Sequence, residues 1–167
     1  MIISAIYLIF LLGVVVLSFR LLFAFGAPYA GCSKERIDNL LALAGDVKGK
    51  TIADLGSGDG RVLIAFAKAG ARAHGFEINP LLVIRSRRAI RTSGLEERAV
   101  VHWQSFWGEP LGNYDIITLY GISTIMRRLE KKLTRELKPG NAVLSVYFKF
   151  PTWRPSKTIG DVGMYML

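Results

Sequence analysis

Hydrophobic and polar positions along this chain change their pattern once, near residue 28. Residues 2–25 are apolar except for Ser4, Ser18 and Arg20 among polar types. As a helix this run would extend about 36 Å, enough to cross a hydrocarbon core with some tilt. Beyond it the pattern is that of a folded domain. Ile37, Leu40, Leu41 and Ala44 mark the apolar stripe of a helix that Ser33 caps and Gly45 stops. Thr51-Ile52-Ala53 is a short apolar strand ending at Asp54, residues 61–68 have helical spacing with Gly70 as stop, and 71–76 form a second strand ending at Glu77. A helix over 81–92 and strands over 99–103 and 114–120 follow. Then come a helix over 123–137, closed by Lys138-Pro139-Gly140, and a strand over 142–148. The tail to residue 167 holds one or two short strands. Strands alternating with helices predict an α/β fold, a Rossmann-like doubly wound sheet with ligands at the carboxyl ends of its strands. The expected organisation is an N-terminal transmembrane helix in residues 1–27 and a domain over 28–167, joined at Pro28-Tyr29-Ala30-Gly31.

Composition narrows this picture only in places. The chain has 167 residues, room for one ordinary domain and a small appendage. Its lone Cys32 excludes internal disulfides and fits a reducing compartment. No metal-ligand spacing appears: His74 and His102 are isolated and read as ordinary strand residues. The net charge of +9, from 22 basic and 13 acidic residues, suits an anionic partner, nucleic acid or the acidic face of a membrane, without choosing between them. A signal peptide would carry positive charge before its apolar run, and none stands here beyond the amino terminus. The segment therefore reads as an uncleaved anchor. Arg20, Lys34 and Arg36 on its carboxyl side direct the domain to the cytoplasmic, or matrix-equivalent, side. Arg85, Arg87, Arg88 and Arg91 on one helix, and Arg127, Arg128, Lys131, Lys132 and Arg135 on another, read as solvated faces.

The chemistry concentrates in residues 51–80. Gly56, Gly58 and Gly60 fall at alternate positions after Asp54, so the chain turns tightly and brings backbone N–H groups close to a ligand. Glu77 lies 17 residues past Gly60, near the offset at which a carboxylate after the second strand meets ribose hydroxyls. Dinucleotides and S-adenosylmethionine compete for such a turn. The spacing is G-x-G-x-G with an acid before it and no phosphate-binding lysine after it. Asp54 at the mouth suits a ligand with a free amino group and a sulfonium.

DLGSGDGR at 54–61 followed by FEINP at 76–80 resembles the class I, seven-strand, S-adenosylmethionine-dependent methyltransferases. More narrowly, the chain resembles the membrane-anchored lysine methyltransferases that include the ATP synthase c-subunit and adenine nucleotide translocase enzymes. That likeness is carried by Pro28-Tyr29, Ser105-Phe106-Trp107, LEKKLTREL at 129–137 and FKFPTWRP at 148–155. The resemblance implies that Gly56, Gly58 and Gly60 wrap the donor's methionine and ribose, with Asp54 on the amino group and Glu77 on the ribose diol. It assigns Ser57, Asp59, Ile78 and Asn79 to the same donor site. Ser105 stands where such enzymes often carry an aspartate toward adenine, and Phe106 and Trp107 would stack on the purine, plain core packing being the alternative. Tyr120, and second to it Tyr29, are the candidates for lining the acceptor channel. A buried strand-end tyrosine is the plainer reading of Tyr120, and no general base is evident. Ser123 replaces a proline common in the family and Leu81 an aromatic, departures that bear on the acceptor. The expected function is a membrane-anchored methyltransferase acting on a lysine of a protein, itself membrane-embedded, with the substrate closing the site. The rivals are an RNA or other nucleic-acid methyltransferase, a small-molecule or lipid methyltransferase, and a non-catalytic donor-binding module. Against nucleic acid, the fourth strand runs into Tyr120-Gly121-Ile122 and lacks the Asn/Asp-Pro-Pro-aromatic turn of adenine amino methylation.

Overall fold

The computed structural model describes residue 7, residues 10–15, residues 31–121 and residues 123–167. Residues 10–15 are helical and exposed. Most of the expected anchor lies outside the described residues, as do Pro28, Ala30 and the acceptor candidate Tyr29. Among the described residues no helix is long and apolar enough to cross a membrane.

The domain opens with α1 (Lys34–Ala44), capped by Ser33, whose Oγ accepts from the Arg36 amide at 3.3 Å. There follow β1 (Thr51–Leu55), α2 (Arg61–Lys68), β2 (Arg72–Glu77), α3 (Pro80–Thr92) and β3 (Ala99–Trp103). Then come β4 (Ile116–Leu119), α4 (Ser123–Glu136), β5 (Ala142–Val146), β6 (Lys157–Ile159) and β7 (Val162–Met166). The strands form one seven-stranded sheet in the order β3-β2-β1-β4-β5-β7-β6. The first five pair in parallel; β7 runs antiparallel to both β5 and β6. The inner strands β1, β4 and β5 are almost wholly buried because both faces are covered, with Asp54, Thr118 and Ser145 as their buried polar residues. One core gathers Leu40 of α1, Leu63 and Phe66 of α2 and Val83 of α3 on Ile52 and Leu144. The opposite core packs Met126, Leu129 and Leu133 of α4 on Ala53, Ile117 and Val143. Each large side chain so buried contributes about 1.5–3 kcal/mol. Strand order reverses between β1 and β4, which opens a crevice at their carboxyl ends.

Two family-like stretches prove to be one unit. The buried Glu130 carboxylate of α4 accepts from the Thr152 amide at 3.0 Å, the Thr152 hydroxyl at 2.7 Å and the Trp153 amide at 2.5 Å. Phe150 meets Tyr165 of β7 edge-on and Trp153 lies tilted against it, with ring centroids 4.8 and 5.4 Å from that of Tyr165. The tail motif thus fastens α4 to the antiparallel edge of the sheet.

Three expectations need correction. Lys132 does not face outward: it is buried, and its Nζ donates to the Glu109 carbonyl at 2.7 Å and to the Glu136 carboxylate at 2.8 and 2.9 Å. Arg87 is exposed, as expected, and its guanidinium also donates to the Val101 carbonyl at 3.1 Å. His74 and His102 are not isolated, because adjacent parallel strands bring their ring nitrogens to 3.2 Å with the rings stacked. The fifth strand stops at Val146 rather than at 148, since Tyr147 takes φ +67° and leaves the ladder.

Candidate active site

At the end of β1 the chain turns through Gly56, Gly58 and Gly60, with φ of +77°, +56° and +82°. A side chain is strained at such angles, and a Cβ on Gly60 would also run into Ser86 of α3. The loop is tied to β2 by the Gly56 and Ser57 amides, which both donate to the Phe76 carbonyl at 2.9 and 3.2 Å. Glu77 completes the tie. Its carboxylate accepts from the Gly58 amide at 2.9 Å, and from the Ile78 and Asn79 amides at 2.9 and 2.8 Å. Three of its roughly four lone-pair sites are thereby used by the protein, and about one remains.

The loop forms one wall of a cavity of about 570 Å³ at the carboxyl ends of the strands. Asp54 stands at its base, 5% exposed, and accepts from Thr118 Oγ1 at 2.7 Å. Burial pushes its carboxyl up to about 7, against the opposing hydrogen bond from Thr118 and with a smaller push from the like charge of Glu77. A cation placed there would reverse that effect. At one end the cavity is walled by Ile78, Leu82, Ser105, Phe106 and Trp107. The Phe106 and Trp107 rings lie 4.8 Å apart, Arg128 covers the Trp107 ring at 4.2 Å, and Ser105 Oγ accepts from the Trp107 amide at 3.4 Å. At the other end stand Cys32, Tyr120, Gly121, Tyr147 and Phe148. Tyr120's hydroxyl accepts from Arg36 Nη1 at 3.2 Å, and Arg36 pairs with Asp161 at 2.6 Å. Burial, then the charge of Asp54, pushes the Cys32 thiol up to about 11.

The structure brings Asp54, Gly56, Ser57, Gly58, Asp59, Glu77, Ile78, Ser105, Phe106, Trp107 and Tyr120 to this cavity. Asp59 is engaged by Arg61, whose Nη2 donates to it at 2.7 Å. Two expected donor residues are not among those lining the cavity: Gly60 leads into α2, and Asn79 caps α3, its Oδ1 accepting from the Leu81 amide at 3.0 Å. Sequence reasoning passed over Thr118, Cys32, Arg36, Tyr147 and Phe148. A threonine inside an otherwise apolar strand was the available signal for Thr118, and register sets it directly beside Asp54. Nothing local signals Arg36, whose partner Asp161 is 125 residues away.

These residues fit a ligand with a cationic group for Asp54, hydrogen-bonding groups near Glu77 and the glycine amides, and a flat apolar portion for Phe106. Comparison with known proteins is consistent with that ligand. The family profile described as the ANTKMT methyltransferase domain matches residues 54–157. The chain is 35% identical over 134 residues to the ATP synthase c-subunit lysine N-methyltransferase of Rattus norvegicus, covering 80% of this chain and 62% of that protein. It is 35% identical over 135 residues to the adenine nucleotide translocase lysine N-methyltransferase of Mus musculus, covering 80% of this chain and 58% of that protein. It thus spans less than two thirds of either relative. Among solved structures, an RNA methyltransferase from Salinibacter ruber in complex with S-adenosyl-L-homocysteine superposes with a TM-score of 0.76 at 30% identity, over 81% of this chain and 91% of that one.

Proposed function

The chain belongs to the ANTKMT methyltransferase domain family, and from that premise we propose that it binds S-adenosylmethionine in this cavity and methylates a lysine side chain of a protein. The observation that carries the reading is the pairing of two buried carboxylates, Asp54 and Glu77, on either side of a left-handed glycine loop at the point where strand order reverses. Asp54 takes the donor's amino group, directly or through water. Glu77 offers its remaining lone pair to the ribose diol, while Phe106 and Trp107 enclose the purine beside Ser105. When bound, S-adenosylmethionine supplies a methyl carbon already activated by its sulfonium. The protein's work is alignment and exclusion of water.

The lysine must first lose its proton to solvent, since the free amine alone has a lone pair and the reference pKa is about 10.4. Its free nitrogen would be the acceptor of that activated methyl group. The apolar wall around Leu119, Gly121 and Phe148 desolvates the amine and favours its neutral form. Tyr120, at the end of β4, offers its ring and oxygen to the incoming side chain. Residues 2–25 anchor the chain to a membrane with the domain on the cytoplasmic or matrix-equivalent side, and the acceptor is a membrane protein confined to the same layer. Supporting this are the long apolar run and the positive charge on its carboxyl side.

An RNA acceptor is the second reading, favoured by the likeness to the Salinibacter ruber enzyme and by the surplus of positive charge. Incubating membranes and total RNA with radiolabelled S-adenosylmethionine and the protein separates the two. Label released by protease, and found on lysine by mass spectrometry, is expected; label released by nuclease alone would replace the lysine reading with the RNA one.

A further inference from the structure

We infer that Tyr147 is a specificity-determining residue of the acceptor site, and that Asp161, at the β6–β7 hairpin tip, positions both Tyr147 and Tyr120 around the entering lysine. The inference rests on the lysine reading above and names the residues that would receive that side chain.

Among the described residues Tyr147 is the one non-glycine with a positive φ, +67°. The Phe148 amide donates back to the Val146 carbonyl at 2.8 Å, closing a three-residue turn about Tyr147. With that φ the turn belongs to the rare, strained class of γ-turn, and a bulky residue there is an outlier. Glycine or asparagine would occupy the position at lower cost, so the backbone does not ask for tyrosine. Folding does not ask for it either: the residue is 60% exposed, and it lines the cavity instead of the core. Strain kept at a cavity mouth together with an exposed aromatic ring is the pattern of a side chain held ready for a ligand. The Phe148 ring stands edge-on to Tyr147 at 5.0 Å and 6.5 Å from Tyr120, so three aromatic faces surround the entry. Such faces suit the alkyl stem of a lysine and the cationic heads of its methylated products.

Asp161 sets this arrangement from two sides. Its carbonyl accepts from the Tyr147 amide at 2.7 Å, fixing the strained turn. Its carboxylate accepts from Arg36 Nε at 2.7 Å, and Arg36 in turn donates to Tyr120 and lies 5.3 Å from that ring's centroid. One residue of the hairpin therefore holds one tyrosine by its main chain and the other through a guanidinium.

Tyr147→Asn and Tyr147→Phe in the full chain test this, with poly-L-lysine as acceptor and S-adenosylhomocysteine as calorimetric ligand. For Tyr147→Asn the KM for poly-L-lysine should rise on the order of tenfold, with kcat changing less. The S-adenosylhomocysteine dissociation constant should stay within about twofold, and the thermal midpoint should not fall, since asparagine accepts the turn. Tyr147→Phe should restore the KM to within about threefold. Asp161→Asn, which keeps the carbonyl but loses the ion pair, should raise KM and leave the nucleoside dissociation constant in place. An unchanged KM in Tyr147→Asn overturns the inference. So does a fall in its midpoint of more than about 4 °C, which would make the ring a structural wedge. If the wild-type chain binds S-adenosylhomocysteine yet methylates no poly-L-lysine, the lysine reading itself fails; transfer with an unaltered variant KM sinks only the role of Tyr147.

Discussion

Asp54 loses nearly all its water on folding and gains a single hydrogen bond from Thr118, so its carboxyl titrates at about 7 instead of near its ordinary 3.8. Between those two values the folded chain keeps a proton that the unfolded chain has released. Stability from this group is therefore greatest at low pH and falls as pH rises through the window toward 7. On the proposed role of Asp54, ligand binding should have the opposite slope, because only the ionised carboxylate would attract the donor's ammonium. Affinity for S-adenosylhomocysteine should weaken by up to about tenfold per unit below pH 7, and binding at pH 6.5 should release a proton, read by calorimetry in buffers of different ionisation enthalpy. In Asp54→Asn both the slope and the proton release should vanish; equal wild-type affinity at pH 6 and pH 8 would refute the assignment. Asp54 and Glu77 were legible in the sequence because each is an acid at the carboxyl end of a strand beside the glycine turn. Thr118 needed the β1–β4 register, and Tyr147 a backbone angle that no residue type announces.

Among the elements, α4 and the segment after β5 show what periodicity misses. The apolar stripe of α4 was readable, yet Glu130 and Lys132 lie buried on it because each satisfies main-chain groups of a distant segment. Glu130→Ala would strand two amides and a hydroxyl that now share one carboxylate. A loss of roughly 2–4 kcal/mol is expected, measurable as a lower denaturation midpoint in urea at constant slope. A change under about 0.5 kcal/mol would mean that water replaces the carboxylate. The tail motif marks family likeness in the sequence, but its physical purpose emerges only where Thr152 and Trp153 meet α4. Strand ends were misjudged for a similar reason: Phe148 continues the apolar run of β5, and one left-handed residue takes it out of the sheet.

For the molecule as a whole, alternation of strands and helices sufficed for the doubly wound class, because each parallel pair needs a crossover helix. The insertion of β7 between β5 and β6 left no such trace, since the tail strands are short and β6 is exposed along its length. Among the described residues, none of those lining the cavity comes from residues 1–27. A chain lacking that segment should bind S-adenosylhomocysteine as the full chain does and still methylate poly-L-lysine. Its labelling of membrane-embedded protein should fall at least tenfold, because tethering supplies the effective concentration. Equal labelling of membranes by both forms would remove the case for an anchor.

The sulfur of Cys32 borders the same cavity and is held above its ordinary value of 9.0, at about 11, by burial and by the charge of Asp54. At neutral pH it is a thiol with almost no thiolate, so it is a poor nucleophile. A nucleoside analogue bearing an acrylamide should therefore alkylate this thiol, by conjugate addition, only slowly at neutral pH. Adduct formation, followed by intact mass, should rise with pH as the thiolate fraction grows.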